Sequence, residues 1–433
     1  MKTTIEYLPP NELKPYLRNS RTHSKHQVRQ LAASIERFGF SSPILVDAKS
    51  TIVAGHGRAE AAGLLGLTSV PVIRITHLTP DEIRALRLAD NRIAAAAGWD
   101  EDLLAAELRE LEQSLRDDII LTGFSVAEID IALRSADDDE FLETVSTTEE
   151  KRPTTSQNGD VWRIGPHMVA CGDARDPDLF ARMLAGKQIG AVFTDPPYNV
   201  RIQGNAGGRG KIRQREFAMA SGEMSPDEYS AFLESVFDLL SSHMSDGALA
   251  YACIDWRHVS DMIVASSKFF SLANLCVWVK DNAGMGALYR SQHELVLVLK
   301  RGTGQITNNV ELGKHGRSRT NVWNYAGATS VGSTRDRALS LHPTVKPVSM
   351  ISDAIMDCTR RGAIVFDPFL GSGTTIIAAH RTGRVGMGIE IDPIYVDAII
   401  RRIEAATNQK AVLLGTGENF AEVTQKRRME IRS

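Results

Sequence analysis

The sequence predicts an α/β protein: a doubly wound domain with a mixed, mostly parallel sheet, preceded by a smaller α+β domain. Short β-rich runs recur through the second half, such as "AVFTD" (191–195), "AIVFD" (363–367) and "RVGMGIE" (384–390), several of them separated by segments of helical period. At 433 residues the chain exceeds what one ordinary core serves. Between the halves, residues 135–158 are acidic, Ser/Thr-rich and aperiodic, which is linker composition.

In chain order, "SPILVDAKSTIVAG" (42–55) reads as a hairpin, "HGRAEAAGLLG" (56–66) as a helix and "SVPVIRI" (69–75) as a strand. "TPDEIRALRLADNRIAAAAG" and "DEDLLAAELRELEQSL" are helical in spacing, with Thr79 and Asp100 as N-caps, and "GFSVAEIDIALRS" adds a short helix. This places a first domain at 1–98, a helical extension at 99–134, the acidic linker at 135–158, a larger domain at 159–415 and a basic tail at 416–433. Further strands are expected at 247–254, 271–280 and 293–300, with helices at 226–242 and 373–382. The strands at 271–280 and 293–300 are joined by a Gly-containing turn with no room for a helix, so an antiparallel edge is expected.

Composition narrows the function. No run of about 18 apolar residues occurs, and the first residues lack a signal-peptide core, so a cytoplasmic protein with no membrane partner is expected. Cys171, Cys253, Cys276 and Cys358 show no C-x-x-C spacing and read as reduced, buried thiols, with no metal site. The net charge of −3 argues against a nucleic-acid binder only on average. Residues 135–150 hold seven acids and no Lys or Arg, whereas "RIQGNAGGRGKIRQR" (201–215) holds five basic residues and no acid. Basic charge therefore sits in loops, where it can meet phosphates.

Two stretches carry chemistry. In "VFDPFLGSGTTIIAAHRTGRVGMGIEID" a strand ends at Asp367, a turn holds Gly371 and Gly373, a helix opens near Thr374, and a second strand ends at Glu390. That is a nucleoside-cofactor arrangement: glycines admit the ligand to the backbone and the distal acid meets ribose hydroxyls. The third glycine of a dinucleotide site is absent. In "FTDPPYNVRI" (193–202), Pro196 and Pro197 hold Asp195 and Tyr198 in a stiff loop at a strand's carboxyl end.

Together "TDPPYN", "FDPFLGSGTT", "GIEID" and "HPTVKP" (342–347) resemble the motif set of S-adenosylmethionine-dependent DNA amino-methyltransferases. The D-P-P-Y precedes the F-x-G-x-G, which resembles the permuted β-type order, over residues 158–410. The resemblance implies a Rossmann-like methyltransferase fold, S-adenosyl-L-methionine as cofactor and double-stranded DNA as partner. It implies that Asp195 and a carbonyl of the proline loop, Pro196, hold both hydrogens of an exocyclic amine, with Tyr198 stacked on a base taken out of the duplex. It places Asp173 at the cofactor's adenine, and Asp367, Phe369, Gly371, Gly373 and Thr374 around its methionine side. Glu390 falls at the ribose, with His342 and Lys346 beside the methionine and Lys346 pairing its carboxylate.

C5-methylation of a base needs a cysteine after a proline, and no Pro-Cys pair exists here. The Asp-first loop leans the resemblance toward N6 of adenine, with N4 of cytosine as the alternative. DNA contacts are expected at Arg209, Lys211, Arg213 and Arg215 in the glycine-rich loop, and at Arg317 and Arg319. The first domain, in "ILVDAKSTIVAGHGRAEAAGLLGLTSVPVIRI", resembles the N-terminal domain of the partition protein ParB and its sulfiredoxin-fold relatives. There Gly57 and Arg58 would form an anion site for a nucleotide. His56 stands where the sulfiredoxin version has cysteine, and G-H-G-R replaces G-E-R-R. A homodimer stays open, as does a DNA-bound ParB-like switch with a vestigial methylase half.

Overall fold

Strands with β-branched and apolar residues on both faces build the centre of the larger unit, as burial between two helical layers requires. A computed structural model describes residues 4–96, 99–133, 154–199, 222–281, 283, 288–310, 312, 319–325 and 346–432. Arg209, Lys211, Arg213, Arg215, Arg317, His342 and most of the acidic linker lie outside these residues. The chain divides into two units, Met1–Leu133 and Arg134–Ser433.

The first unit holds a four-stranded sheet in the order β1 (Ile5–Leu8), β4 (Val70–Ile75), β2 (Ile44–Asp47), β3 (Ile52–Ala54) among its described residues. β2 and β3 form the expected hairpin, and β2 runs parallel to β4. Helices α1 (Lys25–Phe38) and α2 (His56–Leu64) belong to this unit, as do α3 (Pro80–Ala96), α4 (Glu101–Leu115) and α5 (Val126–Ala132). Thr79 caps α3 reciprocally: its Oγ1 accepts the Glu82 N–H at 3.3 Å, and the Glu82 carboxylate accepts the Thr79 N–H at 2.7 Å. Asp100 accepts the Leu103 N–H at 3.1 Å at the head of α4.

The second unit is one sheet of ten strands among the described residues. Its parallel centre runs β8 (Met244–Ile254), β7 (Ile189–Thr194), β12 (Ile364–Asp367), β13 (Val385–Glu390), β6 (His167–Cys171). On one side β10 (His293–Arg301) pairs antiparallel with both β8 and β9 (Phe270–Val279), and β11 (Val322–Asn324) adds to β9 in parallel. On the other, β5 (Val161–Ile164) and β14 (Ala411–Leu413) close the sheet antiparallel. Helices α6 (Pro177–Leu184), α7 (Pro226–His243), α8 (Val259–Ser266), α9 (Val348–Cys358), α10 (Thr374–Arg381) and α11 (Pro393–Thr407) belong to the same unit. The expected antiparallel pair exists, but β11 takes the edge position. All four cysteines are buried and unpaired. No helix among the described residues is long and apolar enough to cross a membrane.

Two segments differ from their sequence reading. Thr155 and Ser156, assigned to the linker, are buried, and their N–H groups donate to the Asp397 carboxylate at 2.7 and 2.8 Å. The basic tail is helix α12 (Phe420–Arg432), with Phe420 and Val423 buried and the Phe420 ring edge-on to Trp162 at 5.2 Å. Arg427 donates to Asp160 and to the Thr155 carbonyl. Charge counting saw the cations of this helix but not the apolar face that anchors it.

Candidate active site

The carboxyl ends of β6, β7, β12 and β13 open on one cavity. It is bordered by Asp173, Asp195, Pro196, Pro197, Tyr198, Lys346, Asp367, Phe369, Gly371, Thr374 and Glu390, all singled out from sequence. Their separation in the chain is removed by strand order: β7, which feeds Asp195, lies directly beside β12, which feeds Asp367.

Asp195 leaves β7 into the two prolines. Its Oδ1 accepts from the Tyr198 hydroxyl and its Oδ2 from Lys346 Nζ at 2.6 Å. The loop is fixed from outside as well. Tyr229 of α7 donates its hydroxyl to the Pro197 carbonyl at 3.0 Å. Asn199, at φ 53°, reaches across to Met224, donating to its carbonyl at 2.8 Å and accepting its N–H at 3.2 Å. Burial, with the charges of Asp195 and Glu294 behind it, pushes the Tyr198 phenol well above its ordinary range. The Tyr198 ring packs on the core beneath, is partly covered and borders the cavity.

At the other end the glycine turn closes on two carboxylates. Asp367 accepts the Phe369 N–H at 3.0 Å and the Thr375 hydroxyl at 2.6 Å. Glu390 accepts the Gly371 N–H at 2.8 Å and the Asp392 N–H at 2.9 Å. Burial pushes Asp367 up to about 6 and Glu390 up to about 7; the hydrogen bonds only partly offset it. Beside the turn, the Phe369 and Phe232 rings lie 5.9 Å apart, and Arg175 sits 5.5 Å from the Phe232 ring while its guanidinium pairs Asp173 at 2.7 Å.

Three assignments change. Gly373 does not border the cavity; it stands at φ 78° as the cap of α10, and a Cβ there would lie 2.9 Å from Ile399. Its job is the turn into the helix and its packing. Arg319, expected at DNA, is ion-paired to Asp353 at 3.1 Å and Asp357 at 2.9 Å, with the Trp323 ring 5.5 Å away. Lys346, expected beside the cofactor carboxylate, is here ion-paired to Asp195 at 2.6 Å and to Glu294 at 3.1 Å.

In the first unit, Gly57 lies inside α2, where a Cβ would meet Leu31 at 2.9 Å, and Arg58 donates to the Ser42 carbonyl at 2.7 Å. Burial lowers the Arg58 guanidinium below its ordinary value.

Sequence reasoning missed Glu294, Lys280, Tyr229, Phe232 and Asn199. Glu294 left a signal, a single carboxylate just before the apolar run of its strand, Leu295–Leu299. Tyr229 and Phe232 did not, because aromatic residues on a helix ordinarily mean core.

Residues 189–401 match a DNA methylase family of the N6/N4 type, and residues 1–92 match the ParB N-terminal domain family. The chain is 51% identical over 81 residues to the ParB-like nuclease domain-containing protein YnaK of Escherichia coli (strain K12), spanning 19% of this chain and 93% of that protein. It is 23% identical over 274 residues to the DNA adenine methyltransferase YhdJ of Escherichia coli (strain K12), spanning 57% of this chain and 84% of that protein. The solved M1.HpyAVI–SAM complex aligns over 54% of this chain and 98% of its own, at 19% identity and a TM-score of 0.41.

Proposed function

The chain joins a ParB N-terminal domain to a DNA methylase domain of the N6/N4 family, and on that footing we propose that it methylates the exocyclic N6 of adenine in DNA, using S-adenosylmethionine. One observation carries the reading: the Asp195 carboxylate and the Glu390–Gly371 turn border the same cavity, an amine acceptor at one end and a nucleoside cradle at the other.

The residues fit such a cofactor. Gly371, at φ 52°, brings backbone to the cavity wall, Glu390 and Asp173 can accept from hydroxyl and amine donors, and Phe369 offers an apolar face. When bound, the cofactor supplies an electrophilic methyl group. The chain's own task is the amine, whose lone pair is delocalised into the ring. Asp195 and the Pro196 carbonyl accept its two hydrogens, which turns the lone pair out of the ring plane and toward the methyl. The Pro197 carbonyl accepts from the Tyr229 hydroxyl, which steadies the loop that presents the Pro196 carbonyl. The target base must leave the duplex to reach so recessed an acceptor.

The intact cavity speaks against a vestigial methylase half. In the first unit, a phosphate-bearing nucleotide at the Gly57–Arg58 turn belongs to the same proposal; thermal protection by triphosphates, lost in Arg58→Ala, tests it. For the main reading, DNA incubated with the protein and cofactor is digested and its nucleosides resolved by mass spectrometry. N6-methyladenine is expected. N4-methylcytosine would move the target to the alternative base, and unmodified DNA would sink the reading.

A further inference from the structure

A line of alternating charge runs back from the acceptor: Asp195, Lys346, Glu294, Lys280. Lys346 Nζ is 2.6 Å from Asp195 Oδ2 and 3.1 Å from Glu294, and Lys280 Nζ is 2.5 Å from Glu294. Lys346 is only 6% exposed and Glu294 16%. Both ammonium groups also face the buried Trp278 ring, at 5.8 Å for Lys346 and 4.7 Å for Lys280. An ammonium has three donors. Lys346 donates one to Asp195 Oδ2, stands in an ion pair with Glu294 and lies over an indole, so its charge is tied to the acceptor from two sides. Burial opposes the charge on Glu294, yet Lys346 and Lys280 outweigh it and hold the carboxyl down at about 2.

The two oxygens of Asp195 are therefore held very differently. Oδ1 meets the Tyr198 hydroxyl, which comes from its own short loop. Oδ2 meets an ammonium anchored from behind by Glu294, on β10 two strands away. An incoming amine can displace the hydroxyl far more cheaply than break a buried ion pair.

We propose that Lys346, backed by Glu294 and Lys280, is a positioning residue that clamps Asp195 Oδ2, so that Oδ1 alone turns to the target amine, and that it does not bind the cofactor carboxylate. This rests on the methyltransferase reading. It gives Tyr198 a second part: its hydroxyl holds the place on Oδ1 that the target amine takes, and its release frees the ring beside the same base.

The experiment compares the full-length wild type with Lys346→Met, Lys346→Arg, Glu294→Gln and the double variant Lys346→Met/Glu294→Gln. Cofactor dissociation constants come from calorimetry, and kcat from saturating cofactor and DNA. In Lys346→Met the cofactor constant should stay unchanged while kcat falls about 100-fold, the scale of an acceptor displaced by about 1 Å. Lys346→Arg should recover part of that rate, because a guanidinium can still bridge the two carboxylates. Glu294→Gln placed on Lys346→Met should also recover part, since it removes the carboxylate left facing Asp195. A merely structural role predicts added losses in the double variant, and that result would overturn the proposal. So would cofactor binding weakened about tenfold in Lys346→Met with kcat near wild type, a loss of about 1.4 kcal/mol that marks a cofactor ligand. If Lys346→Met does not fold, Lys346→Arg and Glu294→Gln decide through the same two readouts. A wild-type protein that binds no cofactor and leaves DNA unmodified fails the methyltransferase reading itself, which separates that failure from this one.

Discussion

The Glu390 carboxylate accepts the Gly371 amide at 2.8 Å, so the last residue of one strand is tied to the turn that follows its neighbour. That bond places a buried acid at the mouth of the glycine turn with a lone pair still available to a ribose hydroxyl. Glu390→Ala should weaken cofactor binding by about 1.5–3 kcal/mol, the range for a lost charge-assisted hydrogen bond. An unchanged dissociation constant by calorimetry would remove Glu390 from the cofactor site.

The same burial predicts a pH dependence. Glu390 rises from 4.5 to about 7 and Asp367 from 3.8 to about 6 in the folded protein. Between each pair of values the folded chain binds more protons than the unfolded chain, so these groups make stability fall as pH rises across that window. Unfolding temperature without cofactor should decline through it, and Glu390→Gln should remove the upper part of the slope. A flat profile in the wild type would contradict the assignment.

Asp195→Ala should abolish methyl transfer while leaving cofactor affinity nearly unchanged, because the carboxylate faces the amine. Near-normal turnover would end its proposed role. Tyr198→Ala should bind DNA modestly worse, by about 1–3 kcal/mol if the ring stacks on a displaced base, and methylate far more slowly. Tyr198→Phe should keep substantial activity, since it retains the ring and vacates Oδ1. Equal rates for the two variants on a matched duplex would reduce Tyr198 to loop packing.

Arg319 separates two readings cleanly. With Asp353 and Asp357 both on it, Arg319→Ala should destabilise the protein by about 1–3 kcal/mol, as stripping the donor from half-buried carboxylates does. The salt dependence of DNA binding should not change. A loss of about 0.9 in the slope of log affinity against log salt would mean that Arg319 meets a phosphate after all.

Deleting residues 416–433 should lower the unfolding temperature, because it uncovers Trp162 and strips the partner from Asp160. A dispensable basic tail would leave that temperature unchanged.

Strands β1, β5, β6, β11 and β14 are not legible in the sequence, whereas β7, β8, β9, β10, β12 and β13, the glycine turn and the acids near the strand ends are. Those features are local: strand runs, φ-permissive glycine and prolines announce themselves within a few residues. Asp195, Asp367 and Glu390 could be singled out because each ends or directly follows a strand, and strand ends are where such sheets place ligands. What only the tertiary structure decided is who meets whom. Arg319, Lys346 and Arg427 look alike in a sequence, each a cation in a polar stretch. The fold seats Arg319 on Asp353 and Asp357, Lys346 between Asp195 and Glu294, and Arg427 on Asp160. A charge's role depends on which opposite charge lies within a few ångströms and how much water is excluded, and both depend on contacts between residues from 34 to 267 positions apart.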